Sequence, residues 1–383
     1  MSHPAQTTVP HGADEVVAVL GGIAQAYLGR SFNVPPRWNY AAAILLPVVS
    51  FFTDWDIFSR FWRSFGASDA QAWISAAVLM WSLCLLVVAA VAFLLKSVRS
   101  NAPKPGPVDS KRLFLQASAA AVCAAPAAAF GFGIITRKDF RINEVELKFP
   151  NLPNELHQLR ILQLSDIHMG AFFSPADLTR VVDASNCLRP DIAFITGDLI
   201  TTKYDPLDRC LLELRRLRTA SGIWGCMGNH EYYSKVEAYT QARARELDMF
   251  FLRNEANPLK FGNARLNLVG IDYRNHRPYL NTVQDLVDRD SFNLLLAHTP
   301  EVFREAAKCG FDLTLSGHTH GGQINLELMG TNLNIADVHT PYTKGFYQLG
   351  ASSIYVNSGL GTIGIPVRLG APPEITLLRL SRA

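Results

Sequence analysis

Hydrophobic positions follow two different patterns along this chain. Up to residue 135 they gather in long blocks without charge; beyond it, short apolar runs alternate with amphipathic segments of helix length. The longest block, residues 72–95, runs for twenty-four positions without a charged side chain. A hydrocarbon core needs about 20 residues of helix, so this block predicts a transmembrane helix. A second uncharged block, rich in alanine, covers residues 113–135 and predicts another. Residues 16–28 and 40–52 are weaker segments. The first contains Gly21, Gly22 and Gln25, and the second has only thirteen residues before Asp54 and Asp56.

Charge orients these blocks. Lys96, Arg99, Lys104, Lys111 and Arg112 stand between them against one acid, Asp109, and Pro103, Pro105 and Pro107 make the stretch an extended linker. Basic loops stay on the cytoplasmic side, which puts everything after residue 135 outside the cytoplasm. Residues 110–115, Ser-Lys-Arg-Leu-Phe-Leu, resemble a twin-arginine export signal with lysine in the first basic position, and Ala127–Ala129 offers a processing site.

The second pattern predicts a separate domain over residues 136–383. Strands are expected at 160–164, 192–196, 222–227, 249–252, 265–269, 292–297, 313–315, 353–356 and 374–380. Helices are expected at 174–188, 206–217 and 234–247, the first with Ser174 as N-cap and Pro175 in its first turn. Such alternation implies an α/β core whose ligands gather outside the strand ends. A net charge of +3 is too small to argue for nucleic acid, and no basic patch is interleaved with aromatics. The six cysteines form no C-x-x-C pair, so neither a zinc knuckle nor a disulfide framework is suggested. Cys187, Cys210, Cys226 and Cys309 read as core-filling residues.

Polar residues capable of chemistry recur where apolar runs end. Asp166-Ile167-His168 follows the first strand, Gly197-Asp198 the second and Gly228-Asn229-His230-Glu231 the third. Asp166 and Asp198 are 32 positions apart, and Asp198 and Asn229 are 31 apart, about one strand-helix unit each. Ala297-His298-Thr299 ends a later strand. Gly317-His318-Thr319-His320-Gly321-Gly322 ends another, with glycines that let the backbone turn tightly around a bound group. Two aspartates, one asparagine and four histidines thus come from five strand ends.

That donor set suits a pair of divalent transition ions, with imidazole favouring Mn, Fe or Zn over Mg or Ca and a carboxylate able to bridge. Asn229 holds an ion without adding charge. Two ions about 3.5–4 Å apart clamp a phosphoryl group and lower the pKa of a shared water towards about 7. His230, beside Asn229, is the candidate to protonate the leaving oxygen. Glu231 reads as an ion-pairing residue and Asp272 as structural; His339 is placed on a late loop that could approach the site.

With these motifs in order, the stretch from about residue 159 to 380 resembles the calcineurin-like metallophosphoesterase family. The resemblance implies an α/β fold, a four-layer α/β/β/α sandwich, here preceded by an α-helical transmembrane region at residues 1–135. It also implies a binuclear centre: one ion on Asp166, His168, Asp198 and His320, the other on Asp198, Asn229, His298 and His318, with Asp198 bridging and His230 catalytic. The tail 357–362, Asn-Ser-Gly-Leu-Gly-Thr, with Arg368 and Pro372-Pro373-Glu374-Ile375, resembles the membrane-associated bacterial branch. That branch holds exported phosphoesterases and, more distantly, UDP-2,3-diacylglucosamine hydrolases, and within it Arg368 is a possible substrate contact.

The expected protein is a multi-pass protein of the bacterial inner membrane with its catalytic domain outside the cytoplasm. Its substrate is a phosphodiester or monoester, plausibly lipid-linked. A cytoplasm-facing hydrolase of a lipid-linked nucleotide diphosphate is the enzymatic alternative, against the charge of residues 96–112. A metal-binding membrane sensor or scaffold is the non-enzymatic one. The complete donor set with His230 speaks against it, since a binding module needs no leaving-group acid.

Overall fold

The computed structural model describes residues 12–31, 39, 43–45, 48–49, 68–100, 110–273, 283–328, 331–338 and 340–383. Most of the weak segment 40–52, together with His3, His11, His276 and His339, lies outside the described residues. Two compact units meet in sequence at residues 135 and 136, and residues 364–366 group with the first.

The first unit is helical: α1 (Gly12–Ser31), α2 (Ser68–Ser100) and α3 (Ser110–Thr136). Ala24 and Leu28 of α1 bury against Leu85 of α2. Asp69–Leu94 of α2 and Ala117–Thr136 of α3 are long and apolar enough to cross a membrane, and only 11% and 6% of their windows is covered by protein. Trp81, Phe93 and Leu94 on α2, and Val122, Phe132 and Ile135 on α3, stand exposed.

The second unit contains two six-stranded sheets. The first is ordered β1 (Arg141–Phe149), β14 (Glu374–Arg382), β2 (Arg160–Leu164), β3 (Ile192–Thr196), β4 (Ile223–Cys226) and β5 (Met249–Phe251). The second is ordered β12 (Gly345–Leu349), β13 (Ser352–Val356), β9 (Leu313–Ser316), β8 (Phe292–Leu296), β7 (Ala264–Gly270) and β6 (Glu255–Phe261). A small hairpin, β10 (Asn325–Leu328) and β11 (Thr331–Asn334), stands apart. Strands β2 to β5 run parallel, as do β7, β8, β9 and β13.

Alternation along the strands creates the layers. Ile161, Ile192, Phe194 and Trp224 meet Leu266, Leu268, Leu294, Leu296, Leu313 and Leu315 between the sheets. On the outer face of the first sheet, Leu162, Leu164, Ala193 and Ile195 pack on α4 (Pro175–Cys187) and α5 (Leu207–Leu214). On the outer face of the second, Val269, Leu295 and Ala297 pack with Ala306 of α8 (Phe303–Cys309) and with Phe311. The order is therefore helices, sheet, sheet, helices.

Local signals match this plan. Ser174 caps α4 reciprocally with Asp177, with Pro175 in the first turn. Strands β1, β6 and β12, all on sheet edges, had no clear sequence signal, because half-exposed edges alternate weakly. The helix expected at 234–247 is found as α7 (Glu237–Glu246), and a short helix, α6 (Asn229–Ser234), precedes it. Cys187 is exposed rather than core-filling, whereas Cys210 and Cys226 are buried.

Candidate metal centre

The carboxyl ends of β2, β3 and β4 in one sheet, and of β8 and β9 in the other, turn into the five loops that carry the motifs. The structure gathers the side chains of these loops around Asp198. Its Oδ2 is 3.1 Å from His298 Nε2 and 3.5 Å from His168 Nε2. On one side, His168 Nε2 lies 3.1 Å from His320 Nε2, which is 3.4 Å from Asp166 Oδ1. On the other, His298 Nε2 lies 3.0 Å from Asn229 Oδ1 and 3.2 Å from His318 Nδ1.

The backbone is bent to make this possible. Asp166, His168, Asp198, His318 and His320 all adopt left-handed φ angles between 45° and 72°. Non-glycine residues hold that conformation at a cost of order 1–3 kcal/mol each, and such outliers cluster at functional sites. Close approach explains the neighbouring glycines. A Cβ on Gly317 would fall onto Ser165 Oγ and Asp166 Oδ2, and one on Gly228 would fall onto Asp198 Oδ1.

Buried acceptors lock the loops together. Glu231 was expected to ion-pair; instead its fully buried carboxylate accepts from the backbone N–H groups of Asp198, Leu199 and Gly228 at 2.8–2.9 Å. Burial, with Asp198 nearby, pushes its pKa upward, and those N–H donors oppose the shift. Asp166 accepts from His318 N–H at 3.0 Å, and His168 N–H donates to Asp198 O at 3.0 Å. Beneath them, Gln163 Nε2 donates to Ser316 O at 2.9 Å, tying one sheet to the other.

Arg368 takes a different place from the one expected. It is 3% exposed, and its guanidinium donates to the carbonyls of Gly361, Ser358, Ala371 and His320 at 2.5–3.3 Å. Its Nη2 is also 3.3 Å from His320 Nδ1. Burial pushes Arg368 down to about 10 despite Asp166. The residue thus contacts the histidine turn through both the carbonyl and the ring of His320. Asp272 is structural as read, held by Arg253 through Nε at 3.0 Å and Nη2 at 2.8 Å.

The donor chemistry fits divalent ions. His298 Nδ1–H donates to Thr196 O at 2.7 Å, which leaves the Nε2 lone pair facing the oxygens of Asp198 and Asn229 and the nitrogen of His318. Acceptors so close repel unless a positive charge lies among them. Without metal, that charge must be a proton. Burial alone would lower His298, yet Asp198 and then Asp166 hold it up at about 10. Burial opposes ionised Asp198 too, but His298, His230 and His168 keep its carboxyl well below the usual range. Burial, then His230, pushes His168 down to about 3, and burial lifts Asp166 to about 6 against the pull of His298. Among the described residues, three overlapping groups could hold an ion: Asp166, His168 and His320; His168, Asp198 and His230; and Asp198, His298 and His318.

His230 joins this cluster through its backbone N–H, 2.9 Å from Asp198 Oδ1. Its Nδ1–H donates to Thr201 O at 2.7 Å, so Nε2 is the ring nitrogen outside that bond. The ring stands edge-on to His168 at 4.8 Å. Tyr233 flanks it at 6.1 Å. Sequence reasoning missed the parts played by Thr196 and Thr201, since a carbonyl acceptor leaves no mark in residue type.

With fold and centre assembled, comparison with known proteins gives the class. Residues 159–322 match the family model described as calcineurin-like phosphoesterase. The chain is 31% identical over 285 residues to the uncharacterized metallophosphoesterase YkuE of Bacillus subtilis, covering 71% of this chain and 97% of that one. It is 33% identical over 242 residues to an uncharacterized metallophosphoesterase of Campylobacter jejuni, covering 62% and 63%. It is 32% identical over 260 residues to a Bos taurus transmembrane protein with metallophosphoesterase domain, covering 63% and 57%. The chain belongs to the calcineurin-like phosphoesterase family. Similarity to a vertebrate transmembrane protein shows that the resemblance is not confined to bacteria.

Proposed function

We propose that this chain is a membrane-anchored phosphoesterase that uses two divalent ions, Mn, Fe or Zn, with its catalytic unit outside the cytoplasm. Asp166, His168, Asp198 and His320 would hold one ion, and Asp198, Asn229, His298 and His318 the other. When bound, such a pair supplies charge for the phosphoryl oxygens and a water acidified towards neutrality.

The observation that carries this reading is the convergence of bare acceptors on the two flanks of Asp198 Oδ2, 3.1 Å from His298 Nε2 and 3.5 Å from His168 Nε2. Asp198 would serve both ions, and neutral Asn229 would keep the charge of the site from becoming too negative for an anionic substrate. His230 has its Nδ1 proton committed to Thr201 O, so Nε2 is the atom that delivers a proton to the leaving oxygen. Glu231 keeps the β3 and β4 loops in register by binding three backbone N–H groups.

Placement outside the cytoplasm is supported by the basic stretch 96–112, which takes in the end of α2 and the start of α3. Cys187 is exposed in the catalytic unit and serves as a natural reporter. In spheroplasts, a membrane-impermeant maleimide should label the full chain without lysis, and a Cys187→Ser variant should lose that label. Labelling of Cys187 only after lysis would reverse the assigned orientation.

Activity is tested on the full chain, purified in detergent and loaded with Mn. A chromogenic phosphodiester is compared with its monoester, and lipid phosphates in mixed micelles follow. The preferred ester defines the substrate search, and no turnover on any of the three would favour the scaffold alternative.

A further inference from the structure

Thr201 touches both halves of the proposed chemistry. Its Oγ1 lies 3.1 Å from His168 Nδ1, and its carbonyl oxygen accepts from His230 Nδ1 at 2.7 Å. The two imidazoles it contacts stand edge to face, 4.8 Å apart and at 86°. The loop carrying Thr201 is itself fastened, because Asp205 Oδ2 accepts from the backbone N–H of Thr201 at 3.0 Å and of Thr202 at 2.7 Å.

We infer that Thr201 is a positioning residue whose hydroxyl fixes the proton of His168 on Nδ1, so that Nε2 presents a lone pair to the ion shared with Asp166 and His320. The inference rests on the two-metal reading. A neutral imidazole has one N–H and one lone pair, and the bond made by one nitrogen decides which atom can ligate. Thr201 Oγ1 is an acceptor available to His168 Nδ1–H, and with it in place Nε2 points bare at His320 and Asp198. Through the adjacent carbonyl, the same residue orients the leaving-group histidine. One threonine, tied down by Asp205, therefore sets the ring orientation of a ligand and of the proton donor together.

The test separates the hydroxyl from the backbone. Full-chain protein in detergent is stripped of metal and titrated with Mn²⁺ by calorimetry, which requires no turnover. Thr201→Val removes the acceptor at similar volume, Thr201→Ala removes it without adding bulk, and Thr201→Ser keeps it. Loss of an outer partner of a ligating histidine costs about 10–100-fold in metal affinity. Valine and alanine should show a loss in that range, with serine restoring near-wild-type affinity. In a double-mutant cycle, Thr201→Val should weaken Mn²⁺ binding in a His298→Ala background and have no further effect in a His168→Ala background. Equal loss in both backgrounds, or a serine variant as weak as valine, would overturn the assignment. So would unchanged affinity in both the valine and alanine variants. A wild-type chain that takes up no Mn²⁺ is a different result: it removes the two-metal reading itself.

Discussion

Asp198 Oδ2 stands 3.1 Å from His298 Nε2, although the other nitrogen of that ring already donates its proton to a carbonyl. The pair has room for one positive charge, a proton in the metal-free protein and, on the proposed two-metal reading, a cation in the loaded one. Metal uptake must therefore displace a proton. His298 is held at about 10, so at pH 7.5 calorimetry in buffers of different ionisation enthalpy should register release of about one proton as Mn²⁺ binds. Absence of buffer dependence would show that the ring is already neutral.

His298 and Asp166 both shape how the metal-free protein responds to pH. The folded value of His298, about 10, lies above its ordinary 6.5, so its stabilisation is full below 6.5 and is lost as pH rises through 10. Asp166 is raised from 3.8 to about 6, so its contribution has the same sign and is lost between those values. Between pH 4 and 6 the loss from Asp166 is opposed by His168, held at about 3, whose burial makes stability rise with pH, so the clear fall in thermal melting after chelation is expected from pH 7 to about 10. Saturating Mn²⁺ should flatten that slope, since the ion takes over the role of the proton.

Replacing His230 by Gln should separate acid catalysis from metal binding. General acid catalysis contributes about 10²–10⁴-fold, and its weight grows as the leaving group becomes more basic. The expected loss in kcat is thus far larger on an alkyl phosphoester than on a nitrophenyl one, with Mn²⁺ stoichiometry intact. Equal losses on both esters would remove His230 from the leaving-group role.

Glu231 holds three buried backbone donors, so Glu231→Ala should destabilise the domain by about 3 kcal/mol or more, at about 1–3 kcal/mol per orphaned group. The check is the denaturant midpoint of the metal-free protein. A change below about 0.5 kcal/mol, the ordinary range for surface substitutions, would mean that water replaces the carboxylate.

Arg368→Lys asks whether the buried guanidinium braces His320 or meets substrate. A lysine cannot reproduce the planar fork that serves several carbonyls at once. Bracing predicts lower thermal stability and weaker metal uptake with KM unchanged. A selective rise in KM would restore the substrate contact suggested by sequence.

The sequence displayed the donors more clearly than their surroundings. Asp166, His168, Asp198, Asn229, His298, His318 and His320 stand out because each follows an apolar run, and parallel strands must bring such ends to one edge. The capping box at Ser174 and Asp177 was legible for a similar local reason. Three features were not. The support that Thr196 gives to His298 and Thr201 to His230 depends on backbone carbonyls, which any residue could offer. Glu231 has no ion-pair partner among the described residues and works through loop N–H groups that only the folded turn collects. Arg368 looks like a surface arginine until the chain folds around it, leaving it 3% exposed.

The most direct test of the central proposal is phosphoester hydrolysis by the full chain, stripped, reloaded with Mn²⁺ and compared with Asp198→Asn prepared in the same way. The account predicts turnover that follows metal occupancy in the wild type and disappears in the variant, because both ions share that carboxylate. Hydrolysis that survives Asp198→Asn, or a wild type that binds two ions and cleaves neither diester, monoester nor lipid phosphate, would contradict it.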